Sequence, residues 1–164
     1  MNYKLKLYPD SVLREKALPG NDVDGDISEL IDGMAEIMYS YQGIGLAAPQ
    51  VGVLKRVIIA DIGDGLLSMV NPEILEKEDE DKLEEGCLSL PDIQVEIERN
   101  KIISVSGISQ EEREITLELN GLMARVIQHE IDHLNGILII DYATLTEKFV
   151  LREKLTELKR VHKI

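Results

Sequence analysis

The densest chemistry in this chain lies in five consecutive residues, His129-Glu130-Ile131-Asp132-His133. On a helix, His129 and His133 are four apart and sit one turn above the other, so both imidazoles can reach a single ion. Glu130 is rotated about 100° from His129 and can address a water on that ion without being a ligand. On a helical wheel all three fall on the side that carries Leu122 and Val126. Two imidazoles and a carboxylate on an apolar side are costly without partners, and a metal ion supplies one. The competing reading, a solvated face with two chance histidines, does not explain the shared apolar side.

Two histidines leave a catalytic metal site one protein ligand short. Cys87, the only cysteine, lies in Glu84-Glu85-Gly86-Cys87-Leu88-Ser89-Leu90-Pro91, where glycine permits an unusual backbone angle and proline redirects the chain. Taken alone it is equally a small buried hydrophobe, a nucleophile activated by His129 or a thiolate ligand. The histidine pair favours the ligand. His162, the remaining histidine, sits in a basic tail and reads as an exposed helix residue. A closed structural site of four cysteines, or of two cysteines and two histidines, is therefore not available, and open coordination points to catalysis. A third segment, Gly43-Ile44-Gly45-Leu46-Ala47-Ala48-Pro49-Gln50, has small residues that let a backbone or ligand come close. Its one polar side chain is Gln50. No Gly-Lys-Ser/Thr follows, so it is not a phosphate loop.

These residues need a scaffold, and the periodicities supply one. A helix over 27–40 places Ile27, Leu30, Ile31, Met34, Ile37, Met38 and Tyr41 on one face, with Asp26 as cap, Glu29 in the capping-box position and Gly43 as stop. The period then falls to two. Residues 56–62 and 66–70 read as strands joined through Gly63-Asp64-Gly65, as do 93–97, 101–106 and 115–119. A second helix begins near Asn120-Gly121 and ends at Asn135-Gly136. A third fills 146–161, with Phe149, Leu151, Leu155 and Leu158 as its adhesive positions. Helices set among largely antiparallel strands make an α+β domain, and at roughly 150 residues per domain the 164 residues make a single one, 1–164.

Composition narrows the classes. The chain is 44% hydrophobic and 30% charged with a net charge of −13, which suits a globular domain and argues against wrapping a phosphate backbone. One cysteine gives no disulfide. With no apolar leader and no run near the ~20 residues of a membrane span, the expected location is the cytoplasm, with no membrane partner. Residues 147–164 hold six basic side chains (Lys148, Arg152, Lys154, Lys159, Arg160 and Lys163) against three acidic ones. That segment is either a docking tail or a helix end whose cations complement its dipole.

Together and in this order, residues 43–50, 85–89 and 128–136 resemble the three signature segments of the peptide deformylases. The resemblance extends to the opening Tyr8-Pro9-Asp10 with Val12-Leu13-Arg14, and the absence of long insertions resembles the compact bacterial form. It implies an enzyme that removes the formyl group from the formyl-methionine of nascent polypeptides and releases formate. It also implies Cys87, His129 and His133 as metal ligands, Glu130 as general acid/base, and Gln50 with the Leu88 amide as oxyanion donors. Ile44, Gly45, Glu85, Leu122 and Val126 become substrate-binding positions. Geometry alone points to zinc. The resemblance implies Fe2+ as the native ion, with Zn2+, Ni2+ or Co2+ as substitutes. The basic tail itself suggests docking near the ribosomal exit, and the net charge of −13 argues against sequence-specific nucleic acid binding. Asp132 and Arg99 are candidates for a pair bracing the histidine motif, two unrelated surface charges being the alternative. Arg125 stands where some members carry an apolar pocket residue, which predicts a more polar pocket rim. A metallopeptidase and a non-catalytic metal-binding module are the alternative functions.

Overall fold

An apolar side chain every third or fourth residue makes the first helix. In the computed structural model, which describes residues 2–20 and 25–162, α1 (Gly25–Ser40) buries Ile27, Leu30, Ile31, Met34, Ala35 and Met38, the stripe that spacing predicts. It starts two residues before the expected position, so Asp26 lies in the first turn, where a negative charge suits the dipole, and does not cap. The helix does not stop at Gly43. Gln42 takes the left-handed conformation (φ 58°), which lets the Gly43 N–H bond back to the Met38 carbonyl at 2.8 Å. Tyr41, assigned to the buried stripe, falls past the helix end and is exposed.

Five strands among the described residues form one antiparallel sheet in chain order: β1 (Gly45–Ala47), β2 (Val57–Ala60), β3 (Leu67–Cys87), β4 (Leu90–Ile108) and β5 (Glu114–Asn120). The strands expected at 56–62 and 66–70 are β2 and the start of β3. Those expected at 93–97 and 101–106 are one strand, β4, because the register with β3 runs on through Asn100. The extension of β3 over residues 76–85 carries almost no apolar side chain and so had no period to read. It is strand because it pairs with residues 95–104 of β4, where Val95, Ile97, Ile102 and Ile103 supply the apolar side chains, and strand preference is set by such context more than by residue type. The last irregularity in that register, between Gly86 and Cys87, kinks the hairpin tip and leaves Leu88 and Ser89 as its turn.

α2 (Gly121–Leu134) buries Ala124, Val126, Ile127 and Leu134 against Ile58, Met69, Ile103 and Val105 of the sheet. It ends as expected at Asn135 and Gly136. Gly136 is left-handed (φ 73°), and a Cβ there would lie 2.5 Å from the Arg14 carbonyl oxygen. α3 (Leu145–Val161) opens on a capping box in which Thr144 Oγ1 accepts from the Glu147 N–H at 3.1 Å and Glu147 Oε1 accepts from the Thr144 N–H at 3.3 Å. Leu151, Leu155 and Leu158 pack with Leu13, Leu90 and Ile93. Phe149 does not join them; it is exposed, its ring covered by the Arg152 guanidinium. His162, expected exposed, is half-buried at the end of α3, and Lys163 lies outside the described residues. No described helix is long and apolar enough to cross a membrane.

Candidate metal centre and active-site cleft

α2 and the hairpin tip bring three donors together. The Nε2 atoms of His129 and His133 are 3.2 Å apart, Cys87 Sγ is 3.4 Å from His133 Nε2, and all three ligand atoms lie within 4.8 Å of one another. Glu85 explains which side of His129 faces the centre. Burial works to raise the Glu85 carboxyl, but hydrogen bonds from His129 and Arg99 and the charges behind them outweigh it and hold it at about 2. The carboxylate therefore accepts a hydrogen bond from His129 Nδ1 at 3.0 Å, leaving the Nε2 lone pair turned inward. A lone pair aimed at another imidazole nitrogen and a sulfur is repulsive unless a cation lies among them. Two imidazoles and a thiolate suit a borderline divalent ion, with a fourth tetrahedral position left over. The residues fit a metal.

Glu130 borders the same point. Its Oε1 is 3.9 Å from His129 Nε2, and burial pushes the carboxyl up to about 7. That oxygen is buried without a hydrogen-bond partner among the described residues, as is His133 Nδ1. Buried polar atoms are normally paired, so Glu130 Oε1 is an acceptor awaiting a donor. Gln50 approaches from the short 3₁₀ turn Ala48–Val51. Its Oε1 accepts from the Ala47 N–H at 3.0 Å, and its Nε2 points to Ser89 Oγ at 3.1 Å and Cys87 Sγ at 3.7 Å. The amide is thereby fixed with its donor edge toward the centre.

A cleft of about 460 Å³ opens here, lined by Ile44, Gly45, Leu88, Leu122 and Val126 together with Gln50, Glu85, Cys87, His129 and Glu130. Ile44 and Leu122 are exposed apolar side chains at its mouth. Gly45 has no room for a side chain: a Cβ would lie 2.7 Å from Val126 Cγ1 and 2.8 Å from Glu130 Oε2. Among the described residues β1 is also an edge strand of the sheet. The Asp61 N–H donates to the Ile44 carbonyl at 2.9 Å, and by the alternation of antiparallel pairing the N–H and C=O of Gly45 face away from β2. Ala47 shares that parity, and its outward N–H is the one taken by Gln50. The Gly45 groups thus present an edge to which an extended peptide can add.

The expected Arg99–Asp132 pair forms, at 2.6 Å, and belongs to a larger buried lattice. Arg99 also grips Glu85 through Nε (2.9 Å) and Nη2 (3.0 Å), and Tyr142 donates to Asp132, its hydroxyl pushed up to about 12 by burial and that carboxylate. Two site expectations change. Glu85 borders the cleft but its oxygens are engaged by Arg99, Arg125 and His129, so it braces the histidine instead of meeting substrate. Arg125 is buried and does not make the rim polar. Sequence reasoning missed Gln128, whose side chain accepts from the Asn100 N–H (3.1 Å) and donates to the Asn100 carbonyl (2.8 Å), locking α2 to β4. On the wheel Gln128 lies about 100° from His129, away from the side that carries Leu122 and Val126, so the helical period gave no signal for it.

Comparison with known proteins places this geometry. The polypeptide deformylase family model matches residues 2–149. The chain is 46% identical over 162 residues to a peptide deformylase of Thermotoga maritima, covering 98% of this chain and 99% of that one. It is similar to the crystal structure of a peptide deformylase from Legionella pneumophila, with TM-score 0.91, 35% identity, and 98% and 97% of the two chains covered. The crystal structure of the enzyme from Ehrlichia chaffeensis in complex with actinonin gives TM-score 0.92 at 32% identity, with 99% of each chain covered. This α+β chain, with its cysteine and histidines gathered beside a buried glutamate, belongs to the peptide deformylase family of metal-dependent hydrolases, which remove the N-formyl group from nascent polypeptides.

Proposed function

We propose that the whole chain, 1–164, is one catalytic domain in which Cys87 Sγ, His129 Nε2 and His133 Nε2 hold a single divalent ion, natively Fe2+, with Zn2+, Ni2+ or Co2+ able to replace it. The observation that carries this is the convergence of those atoms beside Glu130 Oε1, which has no hydrogen-bond partner among the described residues. When bound, the ion supplies the positive charge that makes a water acidic enough to attack at neutral pH. Glu130 takes a proton from the attacking water and returns it to the departing methionine nitrogen; a carboxyl near 7 does both without a large driving-force penalty. Gln50 Nε2 and the Leu88 N–H donate to the oxygen that gains charge as the formyl carbon becomes tetrahedral. The formyl-methionyl peptide lies extended along Ile44 and Gly45, adding to the β1 edge. Its thioether side chain fills the apolar cleft between Ile44, Leu122 and Val126, where a flexible, polarisable chain packs well.

Metal analysis of protein purified without oxygen, paired with formate release from formyl-Met-Ala, tests the reading. One equivalent of iron and formate release that chelation abolishes and Fe2+ restores are expected. Cleavage of a blocked longer peptide without formate would overturn it.

The proposal extends to location and partner. A cytoplasmic enzyme acting on emerging chains gains from docking near the ribosomal exit, and α3 offers Lys148, Arg152, Lys159 and Arg160 on an otherwise anionic protein. Reversing these four charges is expected to remove co-sedimentation with ribosomes at low salt, where exposed charges act over the longest range, and to leave formate release from a dipeptide unchanged. Undiminished co-sedimentation would reduce α3 to a structural helix.

A further inference from the structure

Arg125 stands one turn before His129 on the cleft side of α2, and its chemistry is spent on the protein. Its side chain is 7% exposed. Nη1 donates to Glu85 Oε2 at 2.7 Å and to the Ile97 carbonyl at 2.9 Å; Nη2 donates to the Asp81 carbonyl at 3.0 Å and the Asp81 carboxylate at 2.9 Å. Arg99 holds the same Glu85 carboxylate from its other side and reaches on to Asp132. The result is a chain of alternating charge, Asp132–Arg99–Glu85–Arg125–Asp81, with Glu85 at its middle.

The middle matters because His129 hangs from it. Glu85 Oε1 receives His129 Nδ1 and Arg99 Nη2, and Oε2 receives Arg99 Nε and Arg125 Nη1. Four donors saturate the carboxylate's four lone-pair directions, so it has one orientation and its charge is divided between two guanidiniums. Loss of Arg125 leaves Oε2 with the single Arg99 Nε bond and so loosens the hold on the carboxylate's orientation. It also concentrates negative charge on the bond from His129, making the opposite nitrogen more basic.

We infer that Arg125 is a positioning residue for the His129 imidazole, acting through Glu85, and that it does not bind the methionine side chain. The inference rests on His129 being a metal ligand, as proposed above.

Cobalt-loaded protein tests both levels. A thiolate-to-cobalt absorption band, lost in Cys87→Ser, reports the centre itself; its absence from the unsubstituted protein would sink the centre, whatever Arg125 does. With that band present, Arg125→Met is expected to displace the visible cobalt bands and speed cobalt loss by about 10–100-fold. The same variant should lower kcat by a similar factor with KM for formyl-Met-Ala within about twofold, since the lost interaction is not a uniform substrate contact. Arg125→Lys, which keeps the charge without the fork, should recover part of each. Asp81→Asn, at a side chain 36% exposed, is a second probe should Arg125→Met not fold, and should move the bands in the same direction by less. A raised KM with unmoved bands would make Arg125 a pocket wall. Unmoved bands in whichever variant folds would overturn the inference.

Discussion

Glu130→Ala will bind its metal, melt within about 3 °C of the unsubstituted protein, and lose about 10²–10⁴-fold in kcat, the range that a positioned acid–base group supplies. Stability barely moves because two terms oppose. Alanine removes buried methylene contacts, which costs on the order of 1–2 kcal/mol. It also removes a carboxyl that burial has pushed up to about 7 and whose Oε1 has no hydrogen-bond partner among the described residues, a group that is itself costly to bury. On a domain this size 1 kcal/mol shifts the midpoint by about 2–4 °C, so the residue is expected to trade stability for chemistry. Metal content by elemental analysis, a thermal scan and the formate assay together decide. Loss of metal in this variant would make Glu130 a ligand instead of a proton carrier, and retained turnover would transfer the acid–base role elsewhere.

The fold was legible wherever burial wrote a period. α1, α2 and β5 each have one apolar face, β2 is a short run buried on both faces, and their extents came out within a few residues. The failures lie where burial is absent or shared. Residues 76–85 are almost uniformly polar, so no single-chain pattern distinguishes a strand from a loop; their partner on β4, reached across the hairpin tip, makes the decision. Phe149 misled for the opposite reason: an aromatic residue on a helix suggests core, yet a guanidinium covers its ring and the helix buries Leu151 instead.

The site was legible to the extent that its residues are chemically rare. One cysteine and three histidines leave few ways to build a metal centre, so Cys87, His129 and His133 could be grouped before any geometry. The bracing residues are common ones, and their roles depend on long-range juxtaposition. Glu85 is one glutamate in an acidic run until β3 turns it onto His129, and Arg125 looked like a rim charge because nothing local shows that Asp81 and the Ile97 carbonyl meet it. Tyr142 needed the turn after α2 to bring it back to Asp132.

Gln50 offers the second large effect, because its two amide atoms do different work. Oε1 accepts the outward Ala47 N–H and so finishes the β1 edge; Nε2 faces Ser89 and Cys87 beside the centre. Gln50→Ala removes both and leaves the buried Ala47 N–H unpaired, which costs about 1–3 kcal/mol, so it should lose stability as well as activity. Gln50→Glu keeps an oxygen for Ala47 but replaces the donor with an acceptor. It should fold more stably than the alanine variant while losing as much turnover, about 10²–10³-fold, as expected for deletion of one oxyanion donor. The two variants therefore separate the structural atom from the catalytic one: equal kcat losses with unequal melting temperatures are expected. If Gln50→Glu instead retained near-full turnover, the Nε2 hydrogens would have no part in stabilising the tetrahedral oxygen, and that charge would have to be met by the Leu88 amide and the ion alone.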